Sequence, residues 1–177
     1  MKKRIPLLTV IVSISAVLLT RKKVKAPTAA ASTGRIPAGS LLFSPIGKRE
    51  SKYVGHVGIV TEDQHVIHSV PAGIIKDPLK LYEQKFRLIE RYAPHDLSAG
   101  IKAAEFADHL HQTYPRALYR IRTPLDAKPS EQYCTKIVWQ AYKEGAGLNI
   151  RALPSKSMAV HPYLLKSSRL FKRVSSD

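Results

Sequence analysis

Two segments of this chain carry residue types that can do bond-breaking chemistry. The first is Gln132-Tyr133-Cys134-Thr135-Lys136-Ile137-Val138-Trp139-Gln140-Ala141-Tyr142, around the only cysteine. Ile137, Val138 and Ala141 follow Cys134 by three, four and seven residues, the spacing of one helix face, so the thiol points toward the packed side of a helix, near its first turn. A helix start and a nearby imidazolium both favour a thiolate. A thiol nucleophile also needs a base within reach and a third group to orient that base. The bland reading of a lone cysteine on an apolar face is a small buried hydrophobe.

The second segment, His56-Val57-Gly58-Ile59-Val60-Thr61-Glu62-Asp63-Gln64-His65-Val66-Ile67-His68, alternates like two strands around a polar turn. A turn centred on Glu62 sets His56 across from His68 and Gly58 across from Val66, with Cβ atoms of opposed residues roughly 4.5–5.5 Å apart. Two imidazoles then stand side by side, and Gly58 leaves room beside them. A one-residue slip would undo the arrangement. The same three residues, His56, His68 and Cys134, could alternatively bind zinc with an open position for water, although no tight His-x-x-x-His spacing and no fourth ligand accompany them. His65, His95, His109, His111 and His161 read as inert.

The elements that must hold these groups follow from pattern and punctuation. Strands are expected over 40–44, 56–60, 65–70 and 87–92, with a short one near 119–121. Residues 78–84 read as a short helix. Ser98 is placed to cap a helix through about Thr113, and Ser130 a second one running through Cys134 to the glycines at 145 and 147. One or two strands close the chain between Ala159 and Val174. Strands and helices mix without βαβ alternation, which argues an α+β fold. The charged loop 47–53 and residues 71–86 are placed to wall a pocket.

The chain has 177 residues, enough for one domain with a real core, and one cysteine excludes a disulfide framework or a multi-cysteine metal centre. Lys2, Lys3 and Arg4 precede an apolar run from Ile5 to Leu19, and Arg21, Lys22, Lys23 and Lys25 follow it. Residues 1–26 thus read as a signal peptide or an N-terminal membrane anchor, 27–35 as a linker, and 36–177 as the exported domain, secreted or membrane-anchored. Beyond residue 26 the chain holds 22 basic and 13 acidic residues, a net +9. Scattered basic residues without interleaved aromatics do not make a nucleic-acid site. They fit an anionic envelope surface, or no specific partner at all.

Taken together, Gly39-Ser40-Leu41-Leu42-Phe43, His56-Val57-Gly58-Ile59-Val60 and Tyr133-Cys134-Thr135-Lys136-Ile137-Val138 resemble the permuted papain-like amidases, the YaeF/YiiX group of the NlpC-type superfamily. The closing stretch Val160-His161-Pro162-Tyr163-Leu164-Leu165-Lys166-Ser167-Ser168 adds to the likeness, which covers roughly residues 36–174. The resemblance implies a circularly permuted papain-like fold, a small antiparallel sheet or half-barrel packed against helices. It implies Cys134 as nucleophile, His56 as general base and His68 as the residue that orients the base. The chain departs from the family pattern at Ser40, where an Asp is usual, at Thr135-Lys136, where Ser-Glu is usual, and at His68, often an acid.

The activity so implied is hydrolysis of an amide or ester in a cell-envelope substrate through a thioacyl-enzyme, with acyl transfer as a variant and no cofactor. Substrates of this kind are peptidoglycan peptides, N-acylated molecules and lipid-linked amides. The backbone N–H of Cys134 is the natural first oxyanion donor, and Tyr133 a weaker second. The competing readings are a non-catalytic envelope- or lipid-binding module of the same fold, and the zinc hydrolase.

Overall fold

The computed structural model describes residues 34–45, 55–86 and 88–175, within a compact unit that starts at Gly34. The expected targeting segment and most of the expected linker, with all of loop 47–53, lie outside the described residues. The unit is α+β. Six strands form one antiparallel sheet in the order β4-β3-β2-β1-β5-β8: β1 (Leu41–Ser44), β2 (His56–Val60), β3 (His65–Val70), β4 (Gly73–Pro78), β5 (Glu90–Pro94) and β8 (Phe171–Val174). Two-residue strands β6 (Leu118–Tyr119) and β7 (Glu131–Gln132) pair in parallel beside it.

At the centre of the sheet both faces are covered, which is why β1 and β2 are buried at every position. On one face Leu41, Phe43, Val57, Ile59 and Ile67 pack under helices α2 (Leu97–Thr113) and α3 (Cys134–Gln140). On the other, Leu42, Val60 and Val66 pack under α1 (Leu79–Lys85) through Tyr82 and Phe86. Alternation along β2 therefore sends Val57 and Ile59 to the α3 side and His56, Gly58 and Val60 to the α1 side.

Gly39 shows why the entry to β1 is glycine. Its φ of +80° lies in the left-handed region, and a Cβ there would fall 2.3 Å from Gly100 Cα of α2. Two glycines thus let the chain pass directly against α2, and Tyr142 Oη donates to Gly39 O at 2.6 Å from the far side.

Four local expectations need correction. The hairpin pairs Ile59 with Ile67 and Val60 with Val66, so its turn centres on Asp63 and not on Glu62. Gln64 N–H donates to Thr61 O at 3.1 Å and Thr61 N–H to His65 O at 2.9 Å, while Gln64 takes φ 60°. This is the three-residue hairpin loop, a tight turn followed by one left-handed residue. Gln64 is fixed in that conformation by two hydrogen bonds to the Ile36 backbone, at 3.0 and 2.8 Å. The shift is by two positions, so every side chain keeps its face, but His68 now falls opposite Gly58 and His56 lies diagonal to it.

Residues 73–78, with no strand expected, form β4 against β3. Asp96, not Ser98, caps α2, its carboxylate accepting from the N–H groups of Ser98 and Ala99. Residues 131–132 pair as a strand, so the helix begins at Cys134 itself, with Tyr133 in extended conformation before it, and widens into a π-helical turn over Ala141–Gly145. In the closing segment a 3-10 turn, Pro162–Leu165, precedes a single strand, β8.

Candidate active site

Three adjacent strands hold a chain of hydrogen-bonded side chains. His56 begins β2, His68 lies in β3 and Asp77 in β4. His56 Nε2 meets His68 Nδ1 at 3.0 Å, and His68 Nε2 meets Asp77 Oδ2 at 2.9 Å. Lys85, at the end of α1, grips both oxygens of Asp77, at 2.9 and 2.8 Å. Burial pushes the Asp77 carboxyl up, but hydrogen bonds from Lys85 and His68 together bring it below its ordinary value. Asp77 is therefore a carboxylate, and His68 directs Nε2–H to it. His68 Nδ1 is then the acceptor that holds His56 Nε2–H, which fixes the His56 tautomer and leaves its Nδ1 as the lone-pair nitrogen.

Rings hold the imidazoles in place. His56 stacks flat on Phe86, centroids 4.5 Å apart and planes within 4°. His68 meets Tyr82 edge to face at 5.1 Å. The absent side chain of Gly58 makes this packing fit, since a Cβ there would come 2.5 Å from Val66 Cγ1 and 3.3 Å from the Tyr82 ring. Burial, with the neighbouring His68 adding to it, lowers His56 to about 3. The imidazole is neutral at any ordinary pH.

Cys134 reaches β2 from the other side. It packs in the cluster that contains Val57 and Ile59, and its thiol faces the backbone N–H of Val57, the residue after His56. Its sulfur lies 3.9 Å from Thr135 Oγ1. Burial pushes the thiol up, against the hydrogen bonds of Thr135, Val57 and its own N–H, and the net shift is upward. The thiol and the imidazole are thus neighbours through the β2 backbone, both nearly closed to solvent, at 5% and 4% exposure. Among the described residues no hydrogen bond joins them.

Tyr133, expected as a weak oxyanion donor, packs in the core, where its hydroxyl accepts the Val160 N–H at 3.3 Å. Two tyrosines not singled out in the sequence have hydroxyls within electrostatic reach of the thiol. Burial and the neighbouring thiol raise both: Tyr82, which donates to Leu42 O at 3.3 Å, and Tyr119, pushed up to about 12. Asp77 was likewise missed.

A cavity of about 380 Å³ opens beside this site. It touches the site through Ser44, the cross-strand partner of His56, and through Gly55, its chain neighbour. Phe43, Pro162 and Tyr163 give it mostly apolar walls. Its polar end is a Lys166–Glu90 pair at 2.6 Å, with the Lys166 ammonium 5.2 Å from the centre of the Phe43 ring. Residues 71–86, expected as pocket walls, do not line this cavity; they carry β4 and α1, which hold Asp77, Tyr82 and Lys85.

The remaining histidines make local contacts. His65 pairs with Asp63, His95 and His111 bond to main-chain carbonyl groups, His109 lies against Phe106, and His161 caps its own 3-10 turn and also lines the cavity. As for zinc, no group of three or more His, Cys, Asp or Glu side chains among the described residues is disposed to hold a metal ion. His56, His68 and Cys134 do not form one.

No protein-family model and no curated protein sequence matches the chain. Among solved structures it is similar to the metalloprotein YiiX of Escherichia coli O157:H7, with a TM-score of 0.59 over 81% of this chain and 99% of that one, at 14% sequence identity. The likeness shows a YiiX-like fold.

Proposed function

We propose that the chain is a cysteine hydrolase of the permuted papain-like kind, acting on an amide or ester through a thioacyl-enzyme. The observation that carries this reading is the buried chain His56–His68–Asp77, whose first member is the chain neighbour of Val57, the residue whose N–H faces the Cys134 thiol. A core imidazole with no task does not need a second imidazole and a lysine-held carboxylate to fix its tautomer.

In this reading His56 Nδ1 takes the Cys134 proton as sulfur attacks the carbonyl carbon. The positive charge on the imidazole spreads to His68 and is balanced by Asp77. The Cys134 N–H faces the developing oxyanion. The leaving group takes the proton from His56, and water then attacks the thioester with His56 again as base. The resting pair is neutral, a raised thiol beside a depressed imidazole. Proton transfer therefore accompanies attack and does not precede it. The cavity beside Ser44 seats the apolar group that flanks the scissile carbonyl. An envelope substrate, met by a domain exported through residues 1–26, fits the basic composition.

The deep burial of the thiol favours a second reading, a binding module of the same fold in which Cys134 is only a packed core residue. The YiiX neighbour is described as a metalloprotein, but among the described residues His56, His68 and Cys134 do not form a metal-holding group.

Incubation with short-chain acyl thioesters, followed by mass spectrometry, separates these readings. Acylation at Cys134, abolished in Cys134→Ala and slowed on the order of 10²–10⁴-fold in His56→Ala, is the result expected of the hydrolase. Unmodified Cys134 across esters, amides and thioesters, with ligand binding unchanged in Cys134→Ala, would leave the module.

A further inference from the structure

Away from the site, apolar side chains are exposed on two segments that run against each other. Ala159 N–H donates to Ile121 O at 3.0 Å, Leu125 N–H to Ser157 O at 3.0 Å and Asp126 N–H to Ser155 O at 3.1 Å. On this pair of segments Leu118, Ile121 and Met158 are 58%, 42% and 56% exposed. Single exposed hydrophobes need no explanation, but three on neighbouring segments, interleaved with cations, do. Arg120 and Arg122 flank Ile121, and Lys156 lies two residues before Met158. Glu131 pairs with Arg120 at 3.3 Å and Asp126 with Lys156 at 3.0 Å. Arg122 has no ion pair among the described residues.

We infer that this face docks on a bilayer carrying anionic headgroups, with Leu118, Ile121 and Met158 entering the headgroup–acyl boundary and Arg120, Arg122 and Lys156 facing the phosphates. Apolar insertion and attraction to anionic lipid reinforce one another on such a surface. Arg120, Arg122 and Lys156 outnumber the acids Glu131 and Asp126 that pair with two of them, so the excess charge of these five is positive, and the side chains between the cations are the right kind to enter a bilayer and the wrong kind to face a hydrated polymer. The inference stands apart from the catalytic reading and would survive its failure.

The test uses the full chain and asks about this face alone, so that binding through the N-terminal segment cannot imitate it. Ile121→Trp and Met158→Trp each place a reporter on the face, against a native Trp139 that is 1% exposed and silent to solvent. Leu81→Trp, at a position 40% exposed on α1, is the control. Phosphatidylglycerol vesicles should shift the emission of the first two to the blue and leave the control unchanged, and neutral phosphatidylcholine vesicles should do neither. Arg120→Gln and Arg122→Gln should each weaken the response about fivefold in lipid concentration. Absence of a shift at both positions, an equal shift at Leu81→Trp, or the same shift produced by soluble polyphosphate overturns the inference. The two reporters keep the test decisive if one of them does not fold.

Discussion

Asp77 gives the candidate site the fixed negative charge that His68 alone lacks. It is held by Lys85 on one side and bonds His68 on the other, so the imidazole nearer the thiol is stabilised at one remove when it gains a proton. Asp77→Asn keeps the acceptor and removes the charge. In the hydrolase reading it should lower kcat about 10–100-fold and leave KM nearly unchanged, because Asp77 touches no substrate. Steady-state kinetics check this, and a loss confined to KM would assign Asp77 a different task. The thiol makes an independent prediction. Burial raises it above its usual value of 9.0, so its thiolate fraction at neutral pH is smaller than that of a free cysteine. Iodoacetamide should label Cys134 more slowly in the native protein than in urea, with a rate that inflects at higher pH than in urea. An inflection at lower pH than in urea would show an activated resting thiolate that this geometry does not contain.

The strands that carry the two histidines were legible because each alternates over its whole length, and their faces survived an error in register because the error was even. The turn itself was not legible. Its length depends on Gln64 taking a left-handed conformation that the Ile36 backbone secures, a contact 28 residues away in sequence. β4 was hidden for a related reason: Gly73-Ile-Ile-Lys-Asp-Pro78 follows a Pro-Ala-Gly turn and shows no alternation, and only its pairing with β3 makes it a strand. Asp77 could not be found before that pairing was known. The bare backbone of Gly58 suggests space for an approaching group, but Val66 and the Tyr82 ring fill that space. Gly58→Ala should therefore destabilise the domain, by about 1–3 kcal/mol as expected for overpacking. It should also disturb the His68–Tyr82 contact. Urea unfolding gives the first effect, and a midpoint equal to wild type would mean that the room exists after all.

At the scale of the whole molecule, burying a neutral imidazole ties stability to pH. His56 titrates near 6.5 in an unfolded chain and at about 3 in the folded one. Between these values the unfolded state binds one more proton than the native state. Stability therefore rises with pH across that window and is lost as pH falls from about 6.5 toward 3, by about 1.4 kcal/mol per pH unit for one such group. The depressed carboxylates act in the same direction but lower. Asp77 and Glu90, both held below their ordinary values by lysine partners, cost stability only once the unfolded chain begins to protonate at these positions, below roughly pH 5. The two contributions therefore separate along the pH axis. Wild-type unfolding free energy should already decline between about pH 6.5 and 5.5, above the range in which the carboxylates of the unfolded chain take up protons. His56→Gln, with nothing to titrate at that position, should be flatter over the same interval even if its overall stability is lower. Chemical denaturation at a series of pH values reads both slopes. Equal slopes would mean that the imidazole takes up its proton in the folded state, which would place it in contact with water and give the site an opening to solvent that its present burial denies.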